Sequence, residues 1–140
     1  MADDDEEDCL LAKDALAEAG LPHQLRWVSD GEELLDYLRH SGSFIQPDAA
    51  PRPDLILLDL NMPRRDGRES LRLLKGDPRL QKIPVVVLTT STAQSDISYS
   101  YNVGASSYIA KPASFQGWIE LIELLTAYWF KLVELPARKY

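Results

Sequence analysis

The chain has 140 residues, of which 45% are apolar and 26% charged, which is typical of one soluble globular domain. Its net charge of −7 comes largely from one acidic run, Asp3–Asp8, and the chain has no basic stripe, so direct nucleic-acid binding is not expected. No apolar run approaches the roughly 20 residues of a membrane span, no leader pattern is visible, and the single cysteine, Cys9, cannot form an internal disulfide. We therefore expect a cytoplasmic protein with no membrane partner, in which Cys9 fills the core.

Helical and strand patterns alternate along the first part of the chain. Apolar residues at helical spacing predict a first helix over 7–19, which Gly20 ends. A short strand is expected over 24–28, and the sequence Asp-Gly-Glu-Glu at 30–33 has the spacing of a capping box that begins a second helix. Residues 40–53 are rich in Ser, Pro, Ala and Gly, which indicates a long surface loop.

Three short apolar segments in the second part predict strands buried on both faces of a parallel sheet. Each is followed at once by a polar side chain: Asp59, Thr89 and Lys111. Helical patterns lie between and after these strands, over 66–75, 93–103 and 114–135. The alternation predicts an α/β fold, a doubly wound parallel sheet with right-handed crossovers and helices on both faces, in a single domain over residues 1–140.

The polar groups that end these strands suggest chemistry on a phosphoryl group. The carboxyl ends of parallel strands meet at one edge of a sheet, and the spacings of 30 and 22 residues each fit one strand-helix-strand unit. A carboxylate that accepts a phosphoryl group needs a divalent cation, a hydroxyl and an ammonium on the phosphate oxygens. Simpler readings remain open: a plain strand-end carboxylate at Asp59, a helix cap at Thr89, a solvated Lys111, a packing role for Tyr108 and a solvated acidic tail.

The whole pattern resembles the receiver domain of two-component response regulators, over essentially the entire chain. The matching motifs are LLDLNMPRRDG around Asp59, VVVLTT with Thr89, SSYIAKP with Tyr108 and Lys111, and the acidic pair Asp3-Asp4. The long loop before Pro53, the IPVVVLTTS run and an aromatic C-terminal helix are most similar to stand-alone, chemotaxis-protein-like receivers that pair with phytochrome-type histidine kinases.

The resemblance implies both a fold and a reaction. The fold would be flavodoxin-like, with strand order 2-1-3-4-5. Asp59 would accept a phosphoryl group from the phosphohistidine of a histidine kinase, phytochrome-type or hybrid, in a Mg²⁺-dependent reaction. Asp4, Asp59 and the backbone carbonyl of Asn61 would ligate the Mg²⁺, and Asp3 would act through a water, since Mg²⁺ takes oxygen ligands and retains waters.

The resemblance also implies roles for the residues that follow the next two strands. Lys111 would pair with the phosphoryl group, Thr89 would donate a hydrogen bond to it, and the backbone N–H of Thr90 would add a donor. Tyr108 would be a switch residue whose ring moves inward as Thr89 shifts. The Lys111–Pro112 peptide would be cis.

One departure from the family concerns the first strand. Receivers have a hydrophobic strand directly before the acidic pair, in the middle of the sheet, whereas only Met1 and Ala2 precede Asp3 here. We therefore expect this strand to be missing or truncated, with Asp3 and Asp4 poorly positioned as a consequence. A late start of the reported chain is the preferred explanation. Residues outside the numbering, or exchange of elements with a second copy, are the others.

The signal is expected to leave by contact with another protein, because no attached output domain is visible. The 114–135 segment carries more apolar residues than one buried stripe requires, which predicts a homodimer through the 93–103 and 114–135 helices. A long helix with a wide core face is the simpler alternative. Phosphorylation would shift a conformational equilibrium of the 89–111 surface.

Two other functions compete with the receiver interpretation. A phosphorylation-independent, receiver-like adaptor stays open because of the first strand. A haloacid-dehalogenase-like phosphatase also uses a strand-end Asp with Mg²⁺, but it needs a second Asp two residues on, where Asn61 stands. We therefore expect no enzyme activity beyond intrinsic autophosphorylation and autodephosphorylation.

Overall fold

A three-stranded parallel sheet lies between helices in the computed structural model, which describes residues 1–137. The strands are β1 (Ile56–Leu58), β2 (Val85–Thr89) and β3 (Ser107–Ala110), in the order β1-β2-β3. The helices are α1 (Glu6–Glu18), α2 (Gly31–Arg39), α3 (Gly67–Gly76), α4 (Gln94–Val103) and α5 (Phe115–Ala127). This architecture confirms the predicted α/β class. The last three residues of the predicted 1–140 domain lie outside the described residues.

The first strand is truncated, as predicted. Ala2 makes isolated parallel bridges with Val28 on one side and with Leu58 on the other. Its N–H donates to the Leu57 carbonyl at 2.8 Å, and its carbonyl accepts from the Asp59 N–H at 3.0 Å. If the Ala2 and Val28 segments are counted as the first and second strands, and β1, β2 and β3 as the third to fifth, the spatial order is 2-1-3-4-5. The bridges place the Ala2 segment between the Val28 segment and β1. The strand expected over 24–28 is likewise reduced to the bridge at Val28.

Pairing along this central segment ends at Met1, whose ammonium donates to the Arg26 carbonyl at 2.7 Å. A cavity of about 340 Å³ adjoins it, lined by residues from 22–28 and 51–56 and by Phe130. Burial in this environment lowers the pKa of the Met1 amine to about 6. At the carboxyl ends of the strands the sheet is continuous, because Ala2 pairs with both neighbours.

Alternation along the strands divides the apolar side chains between two cores. Ile56 and Leu58 join the core under α2 and α3, whereas Leu57 joins the core under α1 and α5 with Trp118 and Ile122. Cys9 is buried, and burial raises the pKa of its thiol to about 12, so the thiol stays protonated as a core residue. None of the helices in the described part of the chain is long and apolar enough to span a bilayer.

Side chains that precede the helices fix where the helices begin. Asp5 accepts hydrogen bonds from the first-turn N–H groups of α1, Asp30 from the Glu33 N–H of α2, and Ser114 from the Gly117 N–H of α5. The α-helical part of the last helix ends earlier than predicted, at Ala127, and a π-helical turn over Tyr128–Leu132 follows. Leu135 precedes a proline, a position that disfavours helical backbone, and the helix does not reach it.

Candidate functional site

Three strand-end side chains converge at the carboxyl edge of the sheet, as predicted. The Thr89 hydroxyl donates to Asp59 Oδ1 at 2.7 Å, and Lys111 Nζ donates to Asp59 Oδ2 at 3.2 Å. Thr89 is fully buried, and the side chains of Asp59 and Lys111 are each 7% exposed. They meet because β1, β2 and β3 are parallel neighbours that end at the same level. The Lys111 N–H extends the pairing by donating to the Thr89 carbonyl.

Lys111 lies at the centre of three carboxylates. Its Nζ is 2.7 Å from Asp8 Oδ2, 2.8 Å from Asp3 Oδ2 and 3.2 Å from Asp59 Oδ2. Burial by itself lowers the pKa of this ammonium, but the hydrogen bonds to Asp3 and Asp8 and the nearby negative charges outweigh burial and raise it. Lys111 is therefore a permanent cation, and one positive charge faces three negative ones. The cluster therefore carries an excess of negative charge, which favours the binding of a further cation.

Asp3 is the most buried of these carboxylates, with a side chain 1% exposed. Its Oδ1 accepts from the Asp5 N–H at 2.9 Å, and its Oδ2 forms an ion pair with Lys111 Nζ at 2.8 Å. Burial raises the pKa of Asp3 to about 6, although Lys111 and the Asp5 N–H act in the opposite direction. A carboxylate has about four lone-pair sites on its two oxygens, so Asp3 can accept from a further partner besides Lys111 and the Asp5 N–H.

Carboxylate oxygens of Asp3, Asp4 and Asp59 lie within 4.8 Å of one another. Asp4 is exposed, whereas the other two are buried. The expectation that Asp3 and Asp4 are poorly positioned is wrong in this structure, because the pairing of Ala2 with both neighbours places the following residues at the sheet edge. An all-oxygen donor set with excess negative charge fits a hard divalent cation.

The loop that follows β1 is held close to Asp59. The Asn61 N–H donates to Asp59 Oδ1 at 3.3 Å, and the Gly67 N–H donates to the Leu60 carbonyl at 2.9 Å. A Cβ at Gly67 would lie 2.1 Å from the Asp59 carbonyl oxygen, so only glycine allows α3 to begin here. Thr90, the predicted backbone donor, is exposed directly after β2.

Tyr108 lies against the loop that follows β2. Its hydroxyl donates to the Ser91 carbonyl at 2.8 Å, and its backbone N–H donates to the Tyr101 hydroxyl at 3.2 Å. The partly buried ring packs against the α2–α3 core. Tyr108 therefore connects β3 both to the segment after Thr89 and to α4, which is a contact that the sequence motif did not specify.

Two groups near the site were missed by sequence reasoning. Asp8 lies in the acidic first turn of α1 with Glu6 and Glu7, and no sequence signal distinguishes it from them, because its contact with Lys111 is made only in the tertiary structure. Arg68 makes a bidentate contact with Asp96, from Nε to Oδ1 at 2.7 Å and from Nη2 to Oδ2 at 2.8 Å. Ser91 Oγ donates to the same Asp96 Oδ2 at 2.6 Å. The helix α4 is thereby joined to α3 and to the loop after Thr89.

The predicted cis peptide between Lys111 and Pro112 was wrong, since every peptide bond between residues 1 and 137 is trans. The trans form is the intrinsically favoured isomer even before proline. Lys111 nevertheless points into the site from the end of β3, so its position does not depend on a cis bond.

Comparisons with known proteins agree with this geometry. The family model of the response regulator receiver domain matches residues 1–123. Response regulator Rcp1 of Synechocystis sp. is 35% identical over 137 residues, which are 98% of this chain and 91% of Rcp1.

Two solved structures are similar over nearly the whole chain. The phosphorylated cyanobacterial phytochrome response regulator RcpA has a TM-score of 0.89 and 41% sequence identity, with coverage of 97% of this chain and 95% of RcpA. The Mn²⁺-bound form of Rcp1 has a TM-score of 0.86 and 35% identity, with coverage of 97% and 96%. The similarity therefore includes the sheet, its carboxyl edge and most of the surrounding helices.

Proposed function

Because the chain belongs to the response regulator receiver family, we propose that Asp59 is the residue that accepts the phosphoryl group. The chain is a receiver domain of two-component signalling and is related to phytochrome-linked response regulators. The observation that carries the proposal is the convergence of Thr89 and Lys111 on the Asp59 carboxylate. Receiver domains take phosphoryl groups from histidine kinases, and a kinase of the phytochrome type is the proposed donor, in keeping with the relationship to RcpA.

In the proposed reaction an Asp59 carboxylate oxygen attacks the phosphorus of a phosphohistidine. The new oxygen–phosphorus bond forms as the phosphorus–nitrogen bond breaks, and the electron pair of that bond returns to the imidazole. The Lys111 ammonium and the Thr89 hydroxyl, both within hydrogen-bond distance of Asp59, are the proposed donors to the phosphoryl oxygens. The backbone N–H of Thr90 is proposed as a further donor.

Receiver domains bind a divalent metal ion, and we propose Mg²⁺ for this chain. Asp4, Asp59 and the backbone carbonyl of Asn61 are the proposed ligands, with Asp3 acting through a water. The metal ion would neutralise the negative charge that accumulates when a phosphoryl group approaches several carboxylates. Support comes from the close carboxylate oxygens and from Rcp1, which has a Mn²⁺-bound form.

The proposed response to phosphorylation is a conformational switch of the 89–111 surface. The Thr89 hydroxyl donates to Asp59, and two residues later the Ser91 carbonyl accepts a hydrogen bond from the Tyr108 hydroxyl. A movement of Thr89 towards a phosphoryl group would therefore displace Ser91, and with it the contacts of Ser91 with Tyr108 and with Asp96 of α4. This chain of contacts supports the proposal that Tyr108 is a switch residue, with output by protein–protein contact.

The proposed output surface is a homodimer formed by the 93–103 and 114–135 segments. Trp118 and Ile122 face the core, whereas Leu124 and Leu132 are 72% and 73% exposed. Tyr101 of α4 is also half exposed. Apolar side chains of this size on the outer face of a terminal helix support a second buried surface in the assembled protein.

Phosphoryl transfer to Asp59 is tested by incubating the protein with acetyl phosphate and Mg²⁺ and measuring its intact mass. The wild-type chain and the Asp14→Asn control are expected to gain one phosphoryl group, whereas Asp59→Asn gains none. Labelling of Asp59→Asn would refute the assignment. If neither acetyl phosphate nor a phosphorylated histidine kinase labels the wild-type chain, the phosphorylation-independent adaptor is the better description.

A further inference from the structure

The ammonium of Lys111 has three N–H donors, and three carboxylates face it. Asp3 and Asp59 belong to the group of oxygens that fits a divalent cation, and Asp59 is also the proposed phosphoacceptor. Asp8 is outside that group, yet its oxygen makes the shortest of the three contacts, at 2.7 Å. Two of the partners of Lys111, Asp3 and Asp59, thus also belong to the proposed metal and phosphoryl sites, whereas Asp8 belongs to neither.

We propose that Asp8 is a positioning residue for Lys111: it holds the ammonium in place while the other two donors turn to the phosphoryl group. The inference rests on the proposed function of Asp59. When a phosphoryl group occupies Asp59, Lys111 has to donate to phosphoryl oxygens in order to neutralise the added charge. Asp8 is the partner that does not have to be released, so the ammonium remains directed at the site from its far side.

The surroundings of Asp8 suit a fixed anchor. Asp8 lies in the first turn of α1, where the helix N-terminus favours negative charge. Its backbone N–H donates to the capping Asp5 carboxylate at 3.3 Å, and its side chain is only 19% exposed. Its position is therefore set by a capped helix, whereas Lys111 is a long side chain at the end of β3 with many rotamers to restrict.

Asp8 has no described contact with Asp59 or with the loop that follows it, so its influence on the reaction is expected to pass through Lys111. This distinguishes positioning from a general effect of negative charge. A charge effect would persist after Lys111 is replaced, whereas a positioning effect would disappear with the residue that is positioned.

The test combines Asp8→Asn with Lys111→Met in a double-mutant cycle. Asp14→Asn is the matched control, because Asp14 is an exposed aspartate of the same helix. The initial rate of labelling by acetyl phosphate and Mg²⁺ is measured by intact mass for all variants. We expect Asp8→Asn to reduce the rate about tenfold, the loss typical of one charge-assisted hydrogen bond, and Asp14→Asn to leave it within about twofold. In the Lys111→Met background, Asp8→Asn is expected to cause no further loss.

Urea unfolding without divalent cation provides a readout that does not depend on phosphorylation. The cycle is expected to give a favourable coupling between Asp8 and Lys111, and Asp14 is expected to give none. Asp8→Ser serves as a second variant in case Asp8→Asn does not fold, since serine is well tolerated near a helix N-terminus.

The proposal is overturned by wild-type labelling of Asp8→Asn and Asp8→Ser, by an equal loss in both Lys111 backgrounds, or by absence of coupling in urea. Persistent labelling of Asp59→Asn would instead overturn the proposed function. These failures are distinguishable, because the coupling in urea is measured without any phosphoryl donor.

Discussion

The substitution Asp96→Asn removes a charge from the contact that joins α4 to α3 and to the loop after Thr89. Asp96 accepts two hydrogen bonds from Arg68, at 2.7 and 2.8 Å, and a third from Ser91 Oγ at 2.6 Å. Arg68 Nη1 also lies 3.1 Å from an Asp66 oxygen at the start of α3. Loss of the Asp96 charge should therefore lower the free energy of unfolding and leave the loop around Ser91 less firmly held.

The size of the stability loss follows from the pKa of Asp96. The hydrogen bonds from Arg68, followed by that from Ser91, lower the pKa of Asp96 from 3.8 to about 2. A shift of this size corresponds to at most about 2 kcal/mol of stability. Because the Arg68 side chain is 31% exposed, solvent screening reduces the expected contribution to about 1 kcal/mol. The folded pKa is the lower one, so this stability is present above pH 3.8 and is lost as the pH falls towards 2.

The assay is urea unfolding of the wild-type chain and Asp96→Asn between about pH 7 and about pH 2.5. Asp96→Asn is expected to be less stable by about 1 kcal/mol at neutral pH, with the difference shrinking below about pH 4. Arg68→Gln should show a similar loss at neutral pH. Arg72→Gln is its matched control on the same helix, because Arg72 is 60% exposed and lies 4.0 Å from its acidic neighbour.

Two results would refute this reasoning. One is a stability difference between the wild-type chain and Asp96→Asn that stays constant from neutral to acidic pH, because a charge that titrates cannot produce it. The other is an equal loss of stability in Arg68→Gln and Arg72→Gln, which would show that the bidentate geometry contributes nothing beyond a surface charge.

Three further predictions concern the loop after Asp59, the switch residue and the outer face of the last helix. Gly67→Ala is expected to destabilise the protein by about 2 kcal/mol in urea unfolding and to slow labelling by acetyl phosphate, because the added Cβ would overlap backbone atoms. The control Gly76→Ala should change neither quantity, because no atom lies within 4 Å of its added Cβ. Tyr108→Phe removes one hydrogen bond and should lower the free energy of unfolding by about 1 kcal/mol while the labelling rate stays the same; a large loss of labelling would contradict a purely switching role. Leu124→Glu should convert a dimer into a monomer in sedimentation experiments, whereas Ile45→Glu, at an exposed position in the loop before β1, should leave the dimer intact. A wild-type chain that is monomeric at all concentrations would contradict the proposed interface.

Much of the fold was predictable because its signals are local. The apolar run before Asp59 and the β-branched run before Thr89 are typical of buried strands, and a polar residue that ends such a strand lies at the edge of the sheet. The helix caps at Asp5, Asp30 and Ser114 are also local, since they involve neighbours within three residues.

The predictions that failed depend on a balance that local patterns do not contain. The 114–135 helix has the apolar spacing to continue, yet its α-helical part ends at Ala127 and Phe130 stacks on the ring of His23, with a centroid distance of 4.5 Å. The strand expected over 24–28 has the right residues but few backbone partners, so within this segment only Val28 forms a β-bridge.

The sequence by itself determined that Asp59, Thr89 and Lys111 lie at the carboxyl edge of the sheet, because the order of apolar and polar residues shows which strands are buried and where they end. The tertiary structure decided which of them touch. Asp8 and Lys111 are 103 residues apart, and Arg68 and Asp96 are 28 apart. These contacts depend on the rotation of α1 and α4 about their own axes and on the reach of long side chains, and both are set by packing against the sheet rather than by spacing along the chain.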